Sequence, residues 1–203
     1  KTWETMMSAT LHRRNQLVPY IYSHARLRTW ASGESLVTPM YWDRASASFD
    51  EAYSVATQQQ YFFGRDLIVA PITAKAAPAF GGDDTQRRAV GDEAPSNASL
   101  KSFWLPATND VWYARESMEC LGAGPKRLPP RSYDLDTTPV IIRGGSAIPT
   151  RDANSTYKAL ANPLIWELAI GHSAALAQHS VASGNGECYE DDGTSLDYQR
   201  DPS

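Results

Sequence analysis

The run Glu190-Asp191-Asp192-Gly193 sets three carboxylates side by side. Grouped acids of this kind either hold a hard cation or act as the acid and nucleophile of sugar hydrolysis. An EF-hand loop needs oxygen ligands at alternate positions and a glycine at the sixth, where counting from Glu190 gives Ser195. A glycosidase pair must flank a sugar from two sides about 5 Å apart, whereas adjacent residues of a strand point to opposite faces. The run therefore reads as a charged strand-to-turn segment. Asp83 and Asp84, set among glycines, read as solvating a loop rather than binding metal. Gly144-Gly145-Ser146-Ala147-Ile148 lacks the second glycine of a nucleophile elbow, and neither Gly122-Ala123-Gly124 nor Gly184-Asn185-Gly186 continues into a phosphate or dinucleotide loop. No cofactor is indicated. His12 and His24 have no second ligand four residues on and read as packed or solvated helix residues. Cys120 and Cys188 are too few and too distant for a disulfide framework or a paired-ligand zinc site. The residues thus predict no catalytic, substrate-binding or metal-binding side chain. Asn97 and Asn154, each opening an Asn-X-Ser/Thr sequon, are possible glycosylation sites, and they favour the secretory pathway only if they are used.

The elements that would position any such group come from a chain of 203 residues, 42% hydrophobic and 21% charged, enough for one large domain or two small ones. Nineteen basic and twenty-three acidic side chains leave a scattered net charge of −4, which excludes a nucleic-acid footprint and a polybasic membrane patch. No apolar run approaches the ~20 residues of a membrane span, and the N-terminus lacks the basic-then-apolar order of a signal peptide. A start at Lys1 and a stop at Ser203 just after a polar run predict a piece of a longer polypeptide.

Trp3, Met7, Leu11, Val18, Ile21 and Ala25 recur at three- and four-residue steps or their sum and predict an amphipathic helix over residues 2–31, kinked or interrupted at Pro19 and stopped by Gly33. Residues 35–42 predict a short strand confined to a sheet edge by Pro39. Residues 43–58 predict a polar connection with one helical turn. In residues 60–72 an aromatic cluster meets a turn at Gly64 and then a continuous apolar run, which, following the glycine, predicts a fully buried strand. From Leu67 onward, short strands between turn residues predict an antiparallel β-sandwich. Within it, residues 103–106 and 111–113 predict an aromatic hairpin, Val140 to Ile142 a buried strand, and Gly144-Gly145 a turn. Residues 74–98 predict a long surface loop. The period-two alternation from Asn162 to Ile170 opens a second β unit.

Four stretches in this order, residues 14–22, 60–72, 139–149 and 189–198, together with the Leu105-Pro106 and Trp112-Tyr113 pair, resemble the C-terminal part of glycoside hydrolase family 31. Thr38, Gln59 and Arg65 depart from the residues usual there, arginine, aspartate and an acid or amide respectively, which questions local salt bridges but not the fold. The resemblance implies a mainly β fold: an antiparallel β-sandwich following a long helix that ends a (β/α)8 barrel, plus the start of a second β domain. It divides the chain into residues 1–65 (last barrel helix and connection), 66–157 (proximal sandwich) and 158–203 (start of the distal domain). It also implies a retaining α-glucosidase-type parent, in which one aspartate attacks the anomeric carbon and a second carboxyl protonates the leaving oxygen. In the family both groups precede this helix, so the segment alone is expected to be inactive and to support the barrel. The implied partners are the preceding N-terminal β domain and barrel and, through the parent, an α-linked glycan. Two other readings compete: a carbohydrate-binding or structural β-sandwich module using Trp104, Trp112 and Tyr113, and a subunit completing a separately encoded barrel.

Overall fold

A computed structural model describes residues 3–43, 48–54, 57, 59–73, 98–108, 110–134, 137–152, 162–171 and 184–191. The loop expected over 74–98 lies outside them apart from Ala98. Contacts group the chain into two compact units, one of Lys1–Leu36, Ala147–Glu167 and Gly186–Ser203, the other of Val37–Ser146 and Leu168–Asn185. These groupings cut the chain at places other than the three-part division read from the sequence.

The larger unit is built on an antiparallel six-stranded sheet ordered β1-β2-β3-β10-β6-β7, with β1 Val37–Pro39, β2 Tyr61–Phe63, β3 Leu67–Val69, β6 Trp112–Ala114, β7 Cys120–Gly122 and β10 Val140–Arg143. Two strand pairs accompany it, β4 (Ala98–Lys101) with β9 (Arg131–Asp134) and β5 (Trp104–Leu105) with β8 (Lys126–Arg127). The architecture is mainly β and antiparallel, consistent with a β-sandwich domain. The most apolar segments occupy its centre: Leu67, Ile68, Ile141 and Ile142 are each at most 2% exposed. Burial of each such side chain contributes roughly 1.5–3 kcal/mol. Pro39 sits on the edge strand, as its missing N–H requires, and the expected strand ends there in a 3-10 turn over Met40–Trp42. A second 3-10 turn, Asp50–Tyr53, forms within the polar connection.

The glycine turn expected within residues 60–72 forms: Gly64, at φ +65°, reverses the chain, and the apolar run after it gives β3, with Leu67 and Ile68 buried and Val69 half-buried. The aromatic cluster before the turn pairs back on that run, so that β2 and β3 make a hairpin with Phe63 opposite Leu67. The aromatic pair 103–106 and 111–113, by contrast, is not the hairpin expected. Trp104 pairs with Arg127, while Trp112 pairs with Arg143 and Gly122. Gly145, at φ +79°, forms the expected turn between β10 and β11 (Ser146–Thr150), and its N–H donates to the Ala169 carbonyl (2.7 Å). One link between distant segments is made by a side chain. Gln60, 2% exposed, donates from Nε2 to the Trp104 carbonyl (2.7 Å) and accepts the Trp104 N–H at Oε1 (2.9 Å).

In the smaller unit the expected single helix is three pieces: α1 Trp3–Gln16, α2 Val18–His24 and a π-helical turn Ala25–Trp30. The break falls at Leu17 because Pro19 is tolerated only in the first turn of a new helix. Helix α1 buries no residue, and Trp3, Met7 and Leu11 are 78%, 63% and 56% exposed. The Gln16 carbonyl at its end accepts the Arg151 N–H (3.0 Å). Strand β12 (Ile165–Ala169) forms where alternation predicted and pairs with β11, and Thr150 Oγ1 donates to the Ile165 carbonyl (3.1 Å). Of its residues only Ala169 is buried. Among the described residues no helix is long and apolar enough to cross a membrane.

Candidate functional site

The acidic run contributes two described carboxylates, and each is already engaged. Glu190 forms an ion pair with Arg151, whose side chain is 8% exposed, and Asp191 accepts a hydrogen bond from the Tyr22 hydroxyl (2.5 Å). Asp192 and Gly193 lie outside the described residues. Among the described residues no group of three or more His, Cys, Asp or Glu is placed to hold a metal. His12 Nε2 lies 3.3 Å from an Asp152 carboxylate oxygen, and His24 Nε2, in a buried side chain, 3.8 Å from Glu34. Cys120 and Cys188 are free thiols, the second pushed up in pKa by burial, with a Ser23 hydrogen bond opposing. Gly184-Asn185-Gly186 serves close packing: a Cβ on Gly186 would lie 2.1 Å from the Ala147 carbonyl oxygen. The sequon residues Asn97 and Asn154 lie outside the described residues.

A cavity of about 340 Å³ in the larger unit brings together polar groups that the sequence did not single out, over apolar walls drawn partly from strands that it did. Phe103, Leu121, Leu128 and Ile141 supply apolar walls, and Glu119, Arg131 and Tyr133 the polar groups. Glu119 receives both terminal nitrogens of Arg131 (2.6 and 2.8 Å), and that hydrogen bonding holds its carboxyl below the ordinary range. A glycosidase acid needs the opposite shift. Burial pushes the Tyr133 hydroxyl up, and its ring meets Phe103 edge-on at 5.7 Å. The arrangement is an ion pair over an apolar floor. No local spacing announced it, because Glu119 directly precedes β7 of the six-stranded sheet, while Arg131 opens β9, which pairs with β4 apart from that sheet.

The aromatic residues considered for sugar binding are positioned for packing. Trp104 and Trp112 are 2% and 0% exposed, and Trp112 Nε1 donates to the Pro106 carbonyl (3.1 Å). A buried indole offers no face to a sugar. Tyr113 is half-buried, its hydroxyl donates to the Ile170 carbonyl (2.8 Å), and burial raises its pKa. At the departing position Gln59, the side-chain oxygen accepts from Lys101 Nζ (3.1 Å), whose pKa burial lowers.

Comparison with known proteins places this geometry in a family. The model for the glycosyl hydrolase family 31 C-terminal domain matches residues 33–148. Neutral alpha-glucosidase C of Mus musculus is 25% identical over 194 residues, covering 95% of this chain and 18% of that protein. Alpha-xylosidase of Saccharolobus solfataricus is 23% identical over 202 residues, covering 98% and 22%. Among solved structures, a family 31 dextranase of Flavobacterium johnsoniae complexed with glucose aligns with a TM-score of 0.68 at 20% identity, covering 97% of this chain and 20% of that one. The glucosidase II alpha subunit aligns with a TM-score of 0.65 at 22% identity, covering 98% and 18%. The chain thus spans about a fifth of the length of the curated relatives it matches. Since the family model takes in more than half of its residues, the chain belongs to glycoside hydrolase family 31, in which residues 33–148 are the C-terminal domain.

Proposed function

We propose that this chain is the C-terminal portion of a retaining α-glucosidase-type enzyme and that it buttresses a catalytic barrel without contributing the nucleophile or the acid. The observation that carries the reading is the alignment of nearly the whole chain with about a fifth of an α-glucosidase and of an α-xylosidase. The exposed Trp3, Met7 and Leu11 support it, since an apolar helix stripe of this kind calls for a partner. On this reading residues 1–65 hold the last barrel helix and its connection, 66–157 the proximal sandwich and 158–203 the start of the distal domain. The partners are then the preceding β domain and barrel, and the substrate an α-linked glycan bound by the parent. Burial of Trp104 and Trp112 disfavours the carbohydrate-binding module as an alternative.

The test is turnover of aryl α-glucosides and α-xylosides by the purified chain, alone and joined to the polypeptide that precedes it in its gene. The expected result is hydrolysis by the joined protein only. Hydrolysis by the chain alone, abolished by Asp191→Asn or Asp192→Asn, would overturn the proposal.

A further inference from the structure

The turn Ala25–Trp30 is wound i→i+5, a rare form found mostly as single turns inside α-helices and often at functional positions. In an α-helix, at ~100° per residue, Arg28 would lie about 140° round the axis from Ser23, too far for both to face one extended segment. The π winding advances less per residue and brings Arg28 back toward Ser23. The two do face one segment, residues 186–191, which belongs to no strand. Ser23 Oγ accepts the Tyr189 N–H (2.8 Å) while donating to the Pro19 carbonyl (2.6 Å). Arg28 Nε donates to Glu187 Oε2 (2.9 Å), and its Nη2 donates to the other carboxylate oxygen. Between these contacts the Arg26 guanidinium lies 5.4 Å from the centroid of the Tyr189 ring and 5.6 Å from that of Trp30.

We propose that the π turn is a clasp. It presents Arg26 and Arg28 so that the N-terminal helix grips Glu187 to Asp191 by side chains, where no β-ladder joins them. The clasp stands on these contacts alone. Its consequence, that it fixes the distal segment to the last barrel helix, rests on the function proposed above.

Hydrogen exchange of the 203-residue chain tests the clasp separately from that reading. The variants are Arg28→Glu, Glu187→Arg and the two combined. Each single reversal is expected to speed amide exchange in both Tyr20–Trp30 and Glu187–Asp191 by roughly fivefold to tenfold, the scale of an exposed pair turned repulsive. The double reversal should return both segments to within about twofold of the unmodified chain, and high salt should narrow the differences. Leu67–Val69 serves as the internal reference. Unchanged exchange in the single variants overturns the proposal, as does a double variant that exchanges as fast as the singles. If a single reversal unfolds the chain, recovery in the double variant supports the clasp and failure to recover refutes it.

Discussion

Replacing Gln60 by methionine keeps the bulk of the side chain and removes both hydrogen bonds it makes to Trp104, an N–H and a carbonyl in a residue only 2% exposed. The neighbouring ladder cannot take them over, because its bond runs from the Leu128 N–H to the Phe103 carbonyl (2.7 Å). Each orphaned buried group costs about 1–3 kcal/mol, so the expected loss is about 2–6 kcal/mol, a large part of a domain's ~5–15 kcal/mol. Gln60→Glu adds a sign that packing alone would not produce. A buried glutamate facing the Trp104 carbonyl is raised in pKa, since only its protonated form can donate there. Its contribution is therefore intact below the unfolded value of ~4.3 and is lost as pH rises through the folded value, at about 1.4 kcal/mol per pH unit. Urea unfolding followed by tryptophan fluorescence reads both effects as a shift in midpoint at constant slope. A Gln60→Met midpoint corresponding to less than about 0.5 kcal/mol would refute the reasoning, as would a Gln60→Glu loss independent of pH.

Gly145→Val should lower the melting temperature by several degrees, since a Cβ at φ +79° costs about 1–2 kcal/mol; an unchanged melting temperature in calorimetry would show that the turn does not need glycine. The Glu51 carboxyl is held below its ordinary value chiefly by the Arg127 hydrogen bond, so its contribution is present above ~4.3 and lost as pH falls through the depressed folded value. Arg127→Met should therefore cost stability near neutrality, and the gap to the unmodified chain should close in acid; a gap independent of pH contradicts this. In the chain alone, residues 3–16 should exchange fast or drive self-association visible in sedimentation, while Leu67–Val69 and Val140–Arg143 stay protected. A monodisperse monomer with slow exchange through α1 would contradict that expectation.

What the sequence made legible follows the range of the forces involved. Val140 to Ile142 could be read as buried from its own side chains, and Gly145 as a turn from its backbone freedom, because both signals are local. Pro39 announced its edge for the same reason. The aromatic segments were misjoined because proximity in sequence says nothing of competing partners: Trp104 found Arg127, and Trp112 found Arg143 and Gly122. Gly64 marked a turn and the apolar run after it a strand, but nothing local said that the aromatic cluster before Gly64-Arg65-Asp66 would pair back on that strand as a hairpin. The Gln60 amide, the Glu119–Arg131 pair in its cavity and the π turn had no local signal, since each gains its meaning from residues elsewhere in the chain.

The central claim is that the reacting carboxylates of the parent enzyme lie before Lys1. A fluorosugar that traps the covalent glycosyl ester of a retaining enzyme can be applied to the protein in which this chain is joined to its preceding polypeptide. Peptide mass spectrometry then locates the ester. The account predicts a single labelled aspartate upstream of Lys1 and none within residues 1–203, whereas an ester on Asp191, Asp192 or Glu119 would contradict it.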